Sequence, residues 1–504
     1  MPNAIAYLAL ALWPLLMFVF FKRLPVGRAL ILSFLGAYLL LPPQPAAFDF
    51  PLLPPLNKDT LPNVVALLLV IFVVRERVQF LPRSKVGIAL VAAFIFSPVF
   101  TIFTNGEPLI FANNSLRGLY ERDIVALIFT QTLILVGFVL ARQFLGNREG
   151  LRDLLFVFLV SGLIYSFPML LEVRLSPQLN VWIYGYFPHV FEQVIRAGGY
   201  RATVFLSHGI WAAIFIMMAL ASAIILWRNS PKGGRSWFFI AAIFLGFVLV
   251  LNKTLGPVVY ATLFVILVLF TGWKFQARVA VVMAALVLIY PLAKSINAVP
   301  EERILAVASA ASEERSNSLR FRFDNENILL DRAMEKPLFG WGTWGRNHVH
   351  DAFSGEITTV SDGRWVITIG VYGWLGFLAE FGLLTLPIFM FAYHSSASQR
   401  ADQQRWRQSV SNEIPVKKQL EDRIARYVPS PIGGSLALLL AVNVADLIPN
   451  ATLTPMTWLI AGALLGYAEK IADKTDNNMQ VRPKPTLSDS SNRIELPKGP
   501  RTIL

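Results

Sequence analysis

Four short stretches gather arginine, histidine, aspartate and aromatic residues in a chain otherwise poor in charge. The first reads Gly198-Gly199-Tyr200-Arg201-Ala202-Thr203-Val204-Phe205-Leu206-Ser207-His208-Gly209. Arg201 stands where the chain enters an apolar run, and His208 is expected about two turns into the helix. The second is Ser318-Leu319-Arg320-Phe321-Arg322-Phe323. The third follows Gly340-Trp341-Gly342 and holds Arg346, His348, His350 and Asp351. The fourth is Asp362-Gly363-Arg364. A guanidinium grips phosphate oxygens bidentately. The faces of Trp341 and Tyr200 suit sugar rings and acyl chains. A carboxylate such as Asp362 can take a proton from an acceptor hydroxyl, and His208 is a second candidate base. These are the parts needed to move a sugar from a lipid pyrophosphate to a hydroxyl. Blander roles stand beside each: a snorkelling arginine, a hydrogen-bonded core histidine, or arginines that only pair with Glu301, Glu302, Asp324, Glu326 or Asp331. His348 and His350 at i, i+2 lack a third ligand, so no metal is assigned.

Such groups need a frame, and the rest of the chain is apolar. Of 504 residues, 55% are hydrophobic and only 15% charged, against roughly 25% charged in soluble proteins. Uncharged runs recur along the whole length, each close to the roughly 20 residues that cross a bilayer. The reading is an all-α integral membrane protein with about 12 to 13 transmembrane helices, near 3–21, 29–41, 62–74, 86–103, 123–141, 153–171, 203–226, 236–251, 258–272, 279–293, 366–393, 432–448 and 455–470. The first run lacks the flanks of a signal peptide and reads as a retained helix. The formal net charge of +13 sits largely in short loops after alternate runs, around Arg23, Arg77, Arg142, Arg228 and Lys274. That is a topological signal, with the basic loops cytoplasmic, and not a nucleic-acid footprint. There is no cysteine, which excludes disulfide and thiolate chemistry.

The organisation expected is a first set of helices over 1–293 with an aromatic outer segment at 172–201, a large outer loop at 294–364, and further helices over 365–472 with a basic cytoplasmic loop at 394–431. A polar tail at 473–504 buries too little apolar surface to order itself. The large loop has room for two or three helices, one of them amphipathic and ended by Lys336-Pro337, with Arg320 and Arg322 at its start.

Three segments together resemble the O-antigen ligase and Wzy-type polymerase superfamily of bacterial inner-membrane proteins. They are Arg201 to Gly209, similar to that family's arginine segment entering a membrane helix; Arg322 followed after a helix by Pro337-Leu338-Phe339-Gly340-Trp341-Gly342; and Asp362 to Gly376. The resemblance implies a GT-C-like helical bundle with one large periplasmic loop, and a glycosyltransferase that takes undecaprenyl-pyrophosphate-linked oligosaccharide at the periplasmic face. It implies no metal, no other cofactor and no nucleotide-sugar donor. It assigns Arg201 and Arg322 to the pyrophosphate, Asp362 or His208 to the base, and Arg320, Arg346, Arg364, Tyr200 and Trp341 to glycan or phosphate contacts. Ligases of the family carry His-Asn where this chain has Asp362-Gly363, which favours a polymerase of O-antigen or exopolysaccharide. A ligase acting on lipid A-core stays open because His348 or His350 can stand in. A chain-length regulator is a partner implied by analogy alone.

Two other classes compete. A transporter or lipid flippase places charges near the bilayer midplane, on broken helices in two related halves. Here the ionisable residues gather at the outer edge and the halves are unlike. A scaffold subunit would not need arginines facing a cavity.

Overall fold

The computed structural model describes residues 1–50, 54–196, 198–231, 235–411 and 430–480. It is all-α apart from two two-stranded ribbons. The helices are α1 Ala4–Arg23, α2 Val26–Leu40, α3 Leu61–Leu69 running on as a π turn Val70–Val74, α4 Lys85–Phe103, α5 Glu121–Phe144, α6 Arg148–Leu175, α7 Leu179–Tyr184, α8 Gly209–Asn229, α9 Arg235–Leu251, α10 Leu255–Phe270, α11 Trp273–Ser295, α12 Glu301–Ala311, α13 Glu313–Met334, α14 Arg364–Ser411, α15 Pro431–Asp446 and α16 Pro455–Gln480. Strands β1 Leu109–Ile110 and β2 Ser115–Leu116 pair antiparallel, as do β3 Ile195–Arg196 and β4 Gly199–Tyr200.

Local sequence sets several starts. Asn3, Ser84 and Asn147 each accept a backbone N–H of the first helical turn, from Ala6, Gly87 and Gly150, satisfying a donor that has no partner within the helix. Seven described helices are long and apolar enough to cross a membrane, so the chain is a multi-pass membrane protein. Seven of the 12 to 13 expected spans are thus of full length among the described residues. Five further apolar helices (Val26–Leu40, Leu61–Val74, Arg235–Leu251, Leu255–Phe270 and Pro431–Asp446) have 10–17 residues. At about 1.5 Å per residue they fall short of the roughly 30 Å hydrocarbon core. The bundle has an inside. In α8, 89% of the apolar window is buried, against 28% in α1, so α8 is enclosed by protein while α1 lies at the periphery. Glycine lets α5 and α16 touch backbone to backbone: a methyl on Gly462 would stand 2.1 Å from the Phe138 carbonyl oxygen. At the same interface Arg142 and Glu469 form a buried ion pair of 2.9 Å.

The large loop holds two helices, α12 and α13, and the second is the amphipathic one. It begins at Glu313, so Arg320 and Arg322 lie well inside it and not at its start. Lys294, at the end of α11, pins both helices: its ammonium pairs with Glu301 of α12 and lies 3.7 Å from Glu326 of α13. After α13 the chain Pro337–Gly342 is laced by its backbone onto a break in α14. Trp341 N donates to Gly370 O, Gly342 N to Val371 O, and Trp374 N to Pro337 O, at 2.8–2.9 Å. The break is at Gly373, with φ 66° and ψ −167°. The glycine-rich motifs of the sequence thus join the loop to a membrane helix.

Two helices run on into segments expected to leave the membrane. Helix α14 continues to Ser411, past the loop start at 394, and α16 continues to Gln480, past the tail start at 473. The loop and tail expectations for 412–429 and 481–504 lie outside the described residues.

Candidate functional site

A cavity of about 950 Å³ opens at the end of the bundle that carries α12 and α13. Its walls come from the segment before α8, the α9–α10 turn, α12, α13, the residues before α14 and the α15–α16 turn. Arg196, Arg201, Lys253 and Arg322 line it together with His189 and His208, and Asp362 is the one carboxylate among the described lining residues. Trp211, Ile210 and Leu255 add an apolar side. So dense a cationic surface in a part-buried space attracts anions strongly, because few counter-charges and little water screen it.

The segment Arg201–Gly209 is held from several sides. The Glu172 carboxylate, buried in α6, accepts backbone N–H groups from Leu179, Thr203 and Val204 at 3.0, 2.9 and 2.7 Å. Lys58, buried between α2 and α3, donates to Phe205 O at 2.8 Å. Phe205 N donates to the Tyr165 hydroxyl. Asn252 closes the segment at both ends, accepting from Ala202 N and donating to Gly209 O. Val204 is thereby kept at φ 53°, a conformation that a β-branched residue adopts only when its surroundings impose it. Arg201 is aimed by this scaffold. Its side chain lies across Gly209, where a methyl group would come within 2.2 Å of Arg201 Cδ. Burial first, then Arg196 and Arg322, push its pKa down to about 10. It stays charged at neutral pH, and its Nε has no partner among the described residues. Lys58 holds the segment and not a ligand. Lys58→Met is expected to cost activity on the order of ten-fold by misplacing Arg201, with protein yield and thermal stability measured alongside turnover.

His208 is the N-cap of α8, not a residue two turns into it. Its Nδ1 accepts from Ile210 N at 3.1 Å, so the neutral ring carries its proton on Nε2 and offers a donor there. His189 packs against it with ring centroids 4.9 Å apart. Burial first, then Arg201, lower the His208 pKa to about 4. A depressed pKa keeps the ring neutral down to about pH 4, so His208 contributes no charge change between pH 5 and 8. The kcat/KM profile, which reports groups of the free enzyme, is expected to keep its shape over that range in His208→Asn. A step near pH 6.5 that His208→Asn removes would contradict it.

Arg322 reaches the cavity from α13, and its Nε lies 3.2 Å from Asp362 Oδ2. Arg201, His208, Arg322 and Asp362 therefore meet in one cavity. The other singled-out residues sit outside the cavity lining. Arg320 is exposed, since residues two apart on a helix point to different sides. Arg346 is buried, with its guanidinium donating to the carbonyls of Trp341, Arg117 and Glu107, and so braces the loop from within. Arg364 is bidentate to Glu380 at 2.7 and 3.0 Å. Trp341 is buried beneath the Arg332 guanidinium, 3.3 Å from the ring centroid, and its Nε1 donates to Arg332 O. Tyr200 is half-buried on β4, beside Phe191. His348 bonds Thr359, away from the cavity. Of the proposed pairing acids, Glu301 and Glu326 bind Lys294.

The sequence reading missed Glu172, Lys58, Asn252, Lys253, Arg196 and His189. Lys58, Asn252 and Lys253 belong to segments far from Arg201, so spacing along the chain gave no link, whereas Glu172, His189 and Arg196 lie in the same outer segment but carry no spacing pattern that marks them. The one available signal was an ionisable residue at the end of an apolar run, as at Glu172 and Lys253. No protein-family model matches this chain, and no curated protein matches its sequence.

Proposed function

We propose that this multi-pass membrane protein is a GT-C-type glycosyltransferase that needs no metal, a polymerase of O-antigen or exopolysaccharide. On this reading it resides in a bacterial inner membrane with the cavity facing the periplasm. It transfers an undecaprenyl-pyrophosphate-linked glycan to another lipid-linked repeat unit. The observation that carries the reading is the meeting of Arg201 and Arg322, from distant segments, with Asp362 in one cationic cavity. The acceptor hydroxyl oxygen attacks the anomeric carbon and the bond from that carbon to the pyrophosphate breaks. The pyrophosphate leaves with the electron pair, and Asp362 takes the hydroxyl proton. Arg201 and Arg322 neutralise the charge that grows on the leaving oxygens, where preorganised cations act most strongly. The Nε2–H of His208 is a further donor to the same oxygens. The alternating basic loops support the orientation. A chain-length regulator would be a partner of such an enzyme.

The test is a deletion in the native organism with lipopolysaccharide and secreted polysaccharide sized on gels. A polymerase leaves single repeat units and no long polymer. Long polymer stranded on its lipid carrier, with bare lipid A-core, identifies a ligase. Unchanged glycans in every fraction favour the transporter.

A further inference from the structure

The two groups assigned opposite tasks in the cavity face each other as an ion pair. Arg322 Nε and Asp362 Oδ2 are 3.2 Å apart, and both side chains are part-exposed, 31% and 36%, on the cavity wall. Arg322 comes from α13, and Asp362 stands at the start of α14. While this contact stands, the charge of Arg322 is answered by protein, and the Asp362 carboxylate faces a cation. An arginine so engaged is a weaker phosphate ligand, and a carboxylate held at a guanidinium is not placed against an acceptor hydroxyl. Arg201 is in the opposite state: its Nε is buried and unpartnered among the described residues, so it is ready for an anion without breaking anything.

We infer that the Arg322–Asp362 ion pair is an autoinhibitory contact that the donor's pyrophosphate displaces, so that the base is released only when donor is bound. The inference rests on the function proposed above and adds its regulation. Phosphate oxygens enter at Arg201, then compete with Asp362 for Arg322. Winning that competition is feasible because a part-exposed ion pair is worth little in itself. The carboxylate that is pushed off is repelled by the incoming phosphates and swings toward the acceptor's side of the cavity. Binding order follows: donor before acceptor.

The test is a double-mutant cycle on purified, detergent-solubilised full-length protein, with inorganic pyrophosphate as the probe and calorimetry as the readout. Asp362→Asn is expected to bind pyrophosphate on the order of ten-fold tighter than wild type. In the Arg322→Ala background the same Asp362→Asn change should give a smaller gain, because there is no longer a pair to break. With lipid-linked donor, Asp362→Asn should lower both KM and kcat. Losing a negative charge from a cationic cavity would by itself tighten anion binding equally in both backgrounds, so the smaller gain in the Arg322→Ala background is what reports the ion pair. Equal or weaker pyrophosphate binding by Asp362→Asn overturns the inference, as does an undiminished gain in the Arg322→Ala background. The proposed function fails separately: wild-type protein that binds no pyrophosphate, or binds it independently of Arg201, sinks both. Binding that needs Arg201 but ignores Asp362 sinks only the ion-pair device.

Discussion

Arg201→Ala and Arg322→Ala are each expected to lower polymer formation by about 10²- to 10³-fold, with the folded protein still present in the membrane. Removing one preorganised charge partner of a developing anion costs about 3–4 kcal/mol of transition-state stabilisation. Arg201 is the more exacting of the two. Its backbone is fixed by Glu172, Asn252 and the strained Val204, so its guanidinium has little freedom to reach elsewhere. Arg201→Lys should recover little, since a lysine offers one point charge and no fork. Gly209→Ala approaches the same site without touching a charge. Its methyl would stand 2.2 Å from Arg201 Cδ and must displace that side chain, so turnover should fall as though Arg201 were damaged. Arg320→Ala, two residues from Arg322 but exposed and outside the cavity lining, is the control and should stay near wild type. The measurement is polymer length and rate in a reconstituted or complemented system, normalised to membrane protein. Activity retained in both alanine variants would mean that the cavity is not the site.

Gly373→Ala is expected to abolish stable folding where Arg201→Ala does not. At φ 66° and ψ −167° Gly373 occupies backbone space that is essentially restricted to glycine. A methyl there would come within 2.3 Å of the Leu338 carbonyl carbon. The neighbour is backbone, and that backbone is itself bonded to α14 through Trp374 N and Leu375 N. Neither side can yield without parting the loop from the membrane helix. A strained φ together with such a clash amounts to about 3 kcal/mol or more, a large part of a typical folding free energy. The readout is yield and thermal unfolding in detergent. Gly370→Ala is the comparison: the nearest atoms to its added methyl belong to the Asn347 side chain, at 3.2 Å and beyond, so its loss should be small. Comparable stability of Gly373→Ala and wild type would show that the break in α14 is not required.

The membrane character was legible because hydropathy is local: twenty apolar residues declare a span by themselves. The number of full spans was less legible. A run such as Leu61–Val74 begins directly after a buried polar connection that holds Lys58, and run length alone does not reveal that. The amphipathic helix of the outer loop was readable from its periodicity, but its start at Glu313 was not, because the residues before Arg320 are polar on most sides.

For the site, the sequence by itself determined the kinds of group available. Arginines and an aspartate beside apolar runs cannot sink into hydrocarbon unpaired, so they had to lie outside the spans or find partners within them. Which of them share a cavity was decided only by the tertiary structure. Arg322 and Arg320 differ by two positions, and helical phase sends one to the cavity and the other to solvent. Arg346 and Arg364 look equally available in sequence, yet nearby carbonyls claim the first and Glu380 the second. The supports of Arg201 come from α6, the α2–α3 connection and the α9–α10 turn. Sequence distance carries no information about such contacts, because they follow from how the helices pack and not from what any one helix contains.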